Sequence, residues 1–354
     1  MLPIDLSFCR VAGDLHLPPL GVGTGTSRWS SSPSQPDDAT LLAGLRRAVE
    51  DGVGFIDTAD SQRQGHAERL VGKILKESRG HSVQVSSTVG RVLGSAPHPY
   101  AGPRVRHQLE QTLENLYLPE LAVYILESYD FGNGDRYLGP VIDQMRALRD
   151  VGHIRAIGLR GPGERASVRS RGRFLELFEQ VRPDVVWTQA SGLYPLPDLG
   201  GGEDLGSFAT RHRVGLLIAS PLAHGVLAGR PLRGEAPQAG GVVEHSTEIA
   251  RGLAALRDRF GPSVDSLLRV ALRYLLRRAQ NVVVVVGVGD ARQVASYFSC
   301  LGRPLSTADL QMIEEVFCAM RTAINPLCNG MAGLTADPTS ERHTVAEVAR
   351  SSLT

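Results

Sequence analysis

Eight short apolar runs punctuate the chain: LPPLGVGTG (17–25), VGFIDTAD (53–60), VQVSSTVG (83–90), LAVYILES (121–128), IRAIGLRG (154–161), DVVWTQAS (184–191), VGLLIASP (214–221) and NVVVVVGVG (281–289). Most are continuously apolar rather than alternating, as strands buried on both faces of a parallel sheet are. Helical patterns lie between them. DDATLLAGLRRAVEDG (37–52) offers Asp37 or Asp38 as an N-cap and stops at Gly52. Leucines recur at helical spacing in VRHQLEQTLENLYL (105–118) and GPVIDQMRALRDVGH (139–153), and VDSLLRVALRYLLRRA (264–279) is strongly amphipathic. Strand and helix alternating eight times predict an α/β fold, a (β/α)8 TIM barrel, with residues 1–354 as one domain. Polar or Gly/Pro-rich stretches at 27–37, 129–140, 161–173, 191–206 and 223–246 read as long βα loops. The mixed tail at 325–354 is compatible with covering the barrel mouth, with a homodimer contact, or with partial disorder.

In such a barrel, function sits at the C-terminal ends of the strands. Those positions hold Asp57, Thr88, Glu127, Arg160, Gln189 and Ser220. The formal net charge of +1 gives no bulk field for nucleic acid or a membrane surface, so the expected partner is a small-molecule substrate. No apolar run is long enough to span a bilayer, and the N-terminus lacks the parts of a signal peptide. The four cysteines, Cys9, Cys300, Cys318 and Cys328, form no CxxC pair and no metal spacing with histidine, which reads as free thiols in a reducing cytoplasm with no bound metal. HExxH, GxSxG and Walker patterns are absent. Lys73 and Lys76 are the sole lysines among 38 basic side chains, which suggests a GC-rich bacterial gene and leaves no lysine expected at the mouth.

Specific motifs then carry a resemblance. GFIDTAD followed by GHAERLVGKIL, then VQVSSTVGRVL, LENLYLPELAVYILES, IRAIGL, VVWTQAS, GLLIASPLAHGVLAGR and VVVGVGDARQV, resemble in order the strand motifs of the aldo-keto reductases over residues 15–320. The third-strand motif is most similar to that of the aldose (fucose-type) dehydrogenases. The resemblance implies a tetrad of Asp, Tyr, Lys and His, the Tyr protonating a carbonyl as hydride arrives. Carried over position by position, the Asp is Asp57, the Tyr position is Gln62, the Lys position is Thr88 and the His position is Glu127. An amide such as Gln62 has no proton to give near neutral pH, and Thr88 carries no charge to tune a neighbour. For a nicotinamide cofactor, the resemblance retains Ser220, Leu222 and Gly225 in SPLAHG, and Gln189. Gly287 and Gln293 fall in the eighth-strand cofactor segment. It departs at Arg160-Gly161, at Ala219 where an aromatic would stack, at Gly289 (with Arg292 near) and at Tyr297. The expectation is therefore no cofactor, with NADPH as the alternative.

Asp57, Glu127 and Arg160, with the amides Gln62 and Gln189, compose an acid/base pocket in which Asp57 and Glu127 are the acid/base pair and Gln62, Thr88, Arg160 and Gln189 orient the substrate. The competing reading is a Glu127–Arg160 salt bridge in a decayed site. Tyr129 or Tyr194 stands as a displaced acid, and Trp187 as either barrel packing or a substrate contact. His66 reads as capping its loop or as catalytic, and His224 as facing solvent or meeting an anion. The expected activity is non-redox acid/base chemistry, namely dehydration, isomerisation or cyclisation, on an oxygenated small molecule of secondary metabolism. The alternatives are an NAD(P)H-dependent reductase with a rewired proton donor and a non-catalytic binding protein.

Overall fold

All eight apolar runs form strands, and the strands close on one another. The computed structural model describes residues 9–12, 15–25, 37–62, 64–78, 82–163, 166–229, 242–289 and 291–331. A hairpin of β1 (Cys9–Ala12) and β2 (Leu15–Leu17) comes first. The barrel follows: β3 (Leu20–Gly23), β4 (Phe55–Asp57), β5 (Gln84–Val89), β6 (Leu121–Leu126), β7 (Ile154–Arg160), β8 (Val185–Gln189), β9 (Gly215–Ala219) and β10 (Val282–Gly287), all parallel, with β10 pairing back onto β3. The helices are α1 (Asp38–Glu50), α2 (His66–Glu77), α3 (Arg104–Leu116), α4 (Leu138–Asp150), α5 (Val168–Val181), α6 (Leu205–His212), α7 (Val242–Phe260), α8 (Val264–Leu275), α9 (Ala291–Ser299) and α10 (Thr307–Met331).

Side-chain alternation divides each strand between two cores. Phe55, Val123, Ile125, Ala156, Val185, Leu217, Val283 and Val285 point inward and form one buried cluster. Leu15 and Leu17 of β2 belong to that cluster, so the hairpin closes the floor of the barrel. The intervening residues, such as Ile56, Val85, Tyr124, Leu126, Val186 and Ile218, pack outward against the helices. Small inward residues make room: a Cβ on Gly21 would lie 2.6 Å from Phe55 Cδ1, and one on Gly158 2.6 Å from Ile125 Cγ1.

Helix starts follow cap chemistry. Asp37, Ser167, Asp204 and Ser263 each accept a hydrogen bond from the backbone N–H three residues on, stabilising each helix by about 1 kcal/mol. Helix α2 starts from Gly65 without a side-chain cap. It is tied instead by the buried Glu68, which accepts from Ser87 Oγ (2.8 Å), Thr112 Oγ1 (2.9 Å) and Asn115 Nδ2 (2.9 Å).

Several long loops are shorter than expected. The 161–173 stretch gives way to α5 at Val168, and 223–246 contains a 3-10 turn over Ala223–Ala228 and the start of α7. Residues 26–36 and 230–241 lie outside the described residues. The tail begins inside α10, whose Ile313, Phe317, Met320 and Ile324 form a helical stripe buried in the core. Residues 332–354 lie outside the described residues. No helix among the described residues is long and apolar enough to cross a membrane.

Candidate active site

The inward positions at the strand ends gather Asp57 on β4, Ser86 and Thr88 on β5, Glu127 just past β6, Arg160 on β7, and Trp187 and Gln189 on β8. Register brings them level: Arg160 pairs with Trp187, and Asp57 with Ser86.

Asp57 is 7% exposed. Ser86 Oγ donates to its Oδ1 at 2.5 Å, and Trp187 Nε1 to its Oδ2 at 3.0 Å. Burial raises its pKa to about 6; the two donors and Arg160 oppose that rise, and Glu127 adds to it. Asp57 therefore changes charge close to neutral pH.

Glu127 is held at both oxygens. Oε1 accepts from Arg91 Nε at 2.7 Å and Arg160 Nη1 at 3.3 Å, and Oε2 accepts from Thr88 Oγ1 at 3.0 Å. The Glu127–Arg160 ion pair is thus present, and Arg91 is a second partner that sequence reading missed. The Arg160 guanidinium also lies 4.7 Å from the Trp187 ring centroid. Trp187 is accordingly neither simple barrel packing nor a bare platform: its N–H orients Asp57 and its face carries Arg160.

A second missed residue is Asp60. It is 2% exposed, and Thr88 Oγ1 stands 3.3 Å from its Oδ1. Burial raises its pKa to about 8, Glu68 and Glu127 add to the rise, and the Ser61 backbone and Thr88 oppose it. The second acid of FIDTADS was the available signal.

Gln62 turns to the first βα connection, where its Oε1 accepts from Thr24 Oγ1 at 2.6 Å. Tyr129 donates to the Arg160 carbonyl at 2.7 Å, and burial pushes its pKa well above the ordinary phenol value, which makes it a poor acid. The Tyr194 ring centroid lies 6.4 Å from that of His224. His66 pairs with Asp38 at 2.7 Å and so joins α2 to α1.

The wall between β5 and β6 is fixed by Tyr100. Its Oη reaches the carbonyls of Val89 (3.3 Å) and Ser128 (3.0 Å) and accepts from the Ser128 N–H at 2.9 Å. Gly90 has φ +117°, and a Cβ there would collide with the Tyr100 hydroxyl.

The loop after β9 is strained. Ser220, Ala223 and His224 have φ of 60°, 48° and 58°, and Gly225 follows at 96°. Leu222, at φ −97°, stands between the left-handed Ser220 and the left-handed run 223–225, so the backbone turns sharply after the strand end. Ser220, Leu222 and Gly225 are the residues of this loop that would hold a diphosphate, with Gln189 at the neighbouring strand end. Gly287 ends β10 beside Gly23, and Gln293 packs against Gly289. Tyr297 is in the core, so it offers a nucleotide no polar contact, and Arg292 is exposed.

The family model described as "Aldo/keto reductase family" matches residues 19–317. L-galactose dehydrogenase of Arabidopsis thaliana is 24% identical over 324 residues, covering 90% of this chain and 95% of that one. Methylglyoxal reductase of Escherichia coli (strain K12) is 25% identical over 310 residues, covering 88% and 94%. Among solved structures, the glycerol dehydrogenase of Gluconobacter oxydans is similar with a TM-score of 0.70 at 18% identity, covering 89% of this chain and 96% of that one. An aldo-keto reductase of Bacillus halodurans in its holo form gives a TM-score of 0.67 at 22% identity, covering 88% and 96%.

Proposed function

The chain belongs to the aldo/keto reductase family, and from that premise we propose an enzyme that acts on an oxygenated small molecule by moving protons between carboxyls. The observation that carries this reading is Asp57, a nearly buried strand-end acid whose pKa is raised to about 6. Such a group takes and returns a proton at neutral pH. Glu127 is its partner: Arg91, Arg160 and Thr88 fix its carboxylate at the facing strand end. Arg160 and Gln189 orient the substrate, and Trp187 holds Asp57 in register. Removal of a proton by one of these two carboxyls and delivery of one by the other performs a dehydration, an isomerisation or a cyclisation. Gln62 and Thr88, at the tyrosine and lysine positions of the family pattern, supply neither a proton donor nor a positive charge.

A second reading is favoured by the loop at 220–229, whose left-handed run fits a diphosphate. When bound, NAD(P)H would supply hydride, and this chain would still need a carboxyl as proton donor. The relatives' printed names, dehydrogenase and reductase, support an oxidoreductase in the same sense.

Titration of the purified protein with NADPH and NADH by calorimetry separates the two. Saturation at micromolar concentration supports the hydride reading, and absence of binding at millimolar concentration sinks it. For either reading, Asp57→Asn abolishes turnover while the fold persists. An active Asp57→Asn variant overturns the role given to Asp57.

A further inference from the structure

We propose that Asp60 stores a proton for the mouth and hands it to Glu127 through the hydroxyl of Thr88, an inference that deepens the carboxyl reading above and rests on it. Thr88 Oγ1 lies 3.0 Å from Glu127 Oε2 and 3.3 Å from Asp60 Oδ1. A hydroxyl has one proton to give and lone pairs to receive. If Thr88 donates to Glu127, its contact with Asp60 is a hydrogen bond only when Asp60 is the donor. If Asp60 were ionised, one hydroxyl proton would serve two carboxylates.

The surroundings of Asp60 decide between these states. It is 2% exposed, and its Oδ2 has no hydrogen-bond partner among the described residues. Glu68 approaches from α2, Glu127 and Tyr124 from β6, and Tyr100 from the connection after β5. These neighbours are acids and phenols, whereas Glu127 has Arg91 and Arg160 against it. Burial among such neighbours holds the proton on Asp60.

The transfer balances without a co-reactant. The Asp60 Oδ1–H bond breaks as that proton joins Thr88 Oγ1, and the original Thr88 proton joins Glu127 Oε2. Thr88 remains a neutral hydroxyl, and one negative charge moves from Glu127 to Asp60. Glu127 then gives the proton to a substrate oxygen. A proton taken up by Glu127 from bulk water passes back through Thr88 and refills Asp60.

The test needs no turnover, so its failure is distinct from failure of the acid/base reading, which Asp57→Asn examines. Infrared spectra of the full chain report protonated carboxyls directly. The expected result is a protonated-carboxyl band at neutral pH that titrates away near about 8 and that Asp60→Asn removes. After transfer to heavy water, deuteration of that carboxyl should be roughly tenfold slower in Thr88→Val, and Thr88→Ser should restore the rate. Circular dichroism checks that each variant is folded. Absence of the band at neutral pH, or equally fast deuteration in Thr88→Val, overturns the proposal.

Discussion

Asp57 and Asp60 lie three positions apart in FIDTADS, yet their surroundings separate them. Asp57 has the Ser86 and Trp187 donors on its oxygens and reaches only about 6; Asp60 has the Ser61 backbone and Thr88 against the added effect of Glu68 and Glu127, and reaches about 8. Both folded values exceed the ordinary aspartate value of 3.8, so the folded state binds these protons more tightly than the unfolded chain. The associated stability is fully present below about 3.8 and is lost as pH rises through the folded value. Asp60→Asn, which cannot ionise, should therefore gain on the parent protein by about 1.4 kcal/mol per pH unit at most across that window. The gain should level off above pH 8 or so, as urea unfolding at a series of pH values will show. Trp187 reports on Asp57 through its N–H. In a Trp29→Phe background, its emission should titrate with a midpoint near about 6, and Asp57→Asn should flatten that curve.

At the scale of elements, buried polar ties position the mouth more than helix propensity does. Glu68 gathers Ser87, Thr112 and Asn115, and so fastens α2 to β5 and α3. Glu68→Ala should destabilise the protein by about 3 kcal/mol or more, since three buried groups lose their acceptor, while Glu68→Gln keeps part of the network. Thermal unfolding of the two variants gives the comparison. Gly90→Ala meets both a left-handed backbone and the Tyr100 hydroxyl, and should cost roughly 2 kcal/mol or more. The strands were legible in sequence because parallel strands buried on both faces leave continuous apolar runs. The hairpin was not, because β1 and β2 are four and three residues long, too short for a periodic signal. Likewise α10 was hidden, since its stripe runs into a stretch read as tail. At the site, Asp57, Glu127 and Arg160 could be placed by strand-end position alone. Arg91 and Asp60 could not, because their significance lies in contacts spanning 36 and 28 residues of sequence.

Across the whole molecule, the two ends of the barrel have different duties. The floor is apolar, sealed by Leu15 and Leu17, while the mouth is crowded with charge. Leu17→Ala should lower stability by about 3 kcal/mol and leave the Trp187 titration unchanged, because the lost packing lies at the opposite end. Thermal unfolding and fluorescence on the same variant separate those two effects.

The double clasp of Arg91 and Arg160 on Glu127 also bears on which substitutions the mouth tolerates. Rebuilding the family pattern by Gln62→Tyr, Thr88→Lys and Glu127→His would delete the one carboxylate both guanidiniums share and set a new ammonium beside them. Each step is a single exchange, yet the order matters: either arginine retained makes the lysine unwelcome. The clasp thus couples three distant positions: an exchange at 127 strands two guanidiniums, and calls for exchanges at 91 and 160 as well.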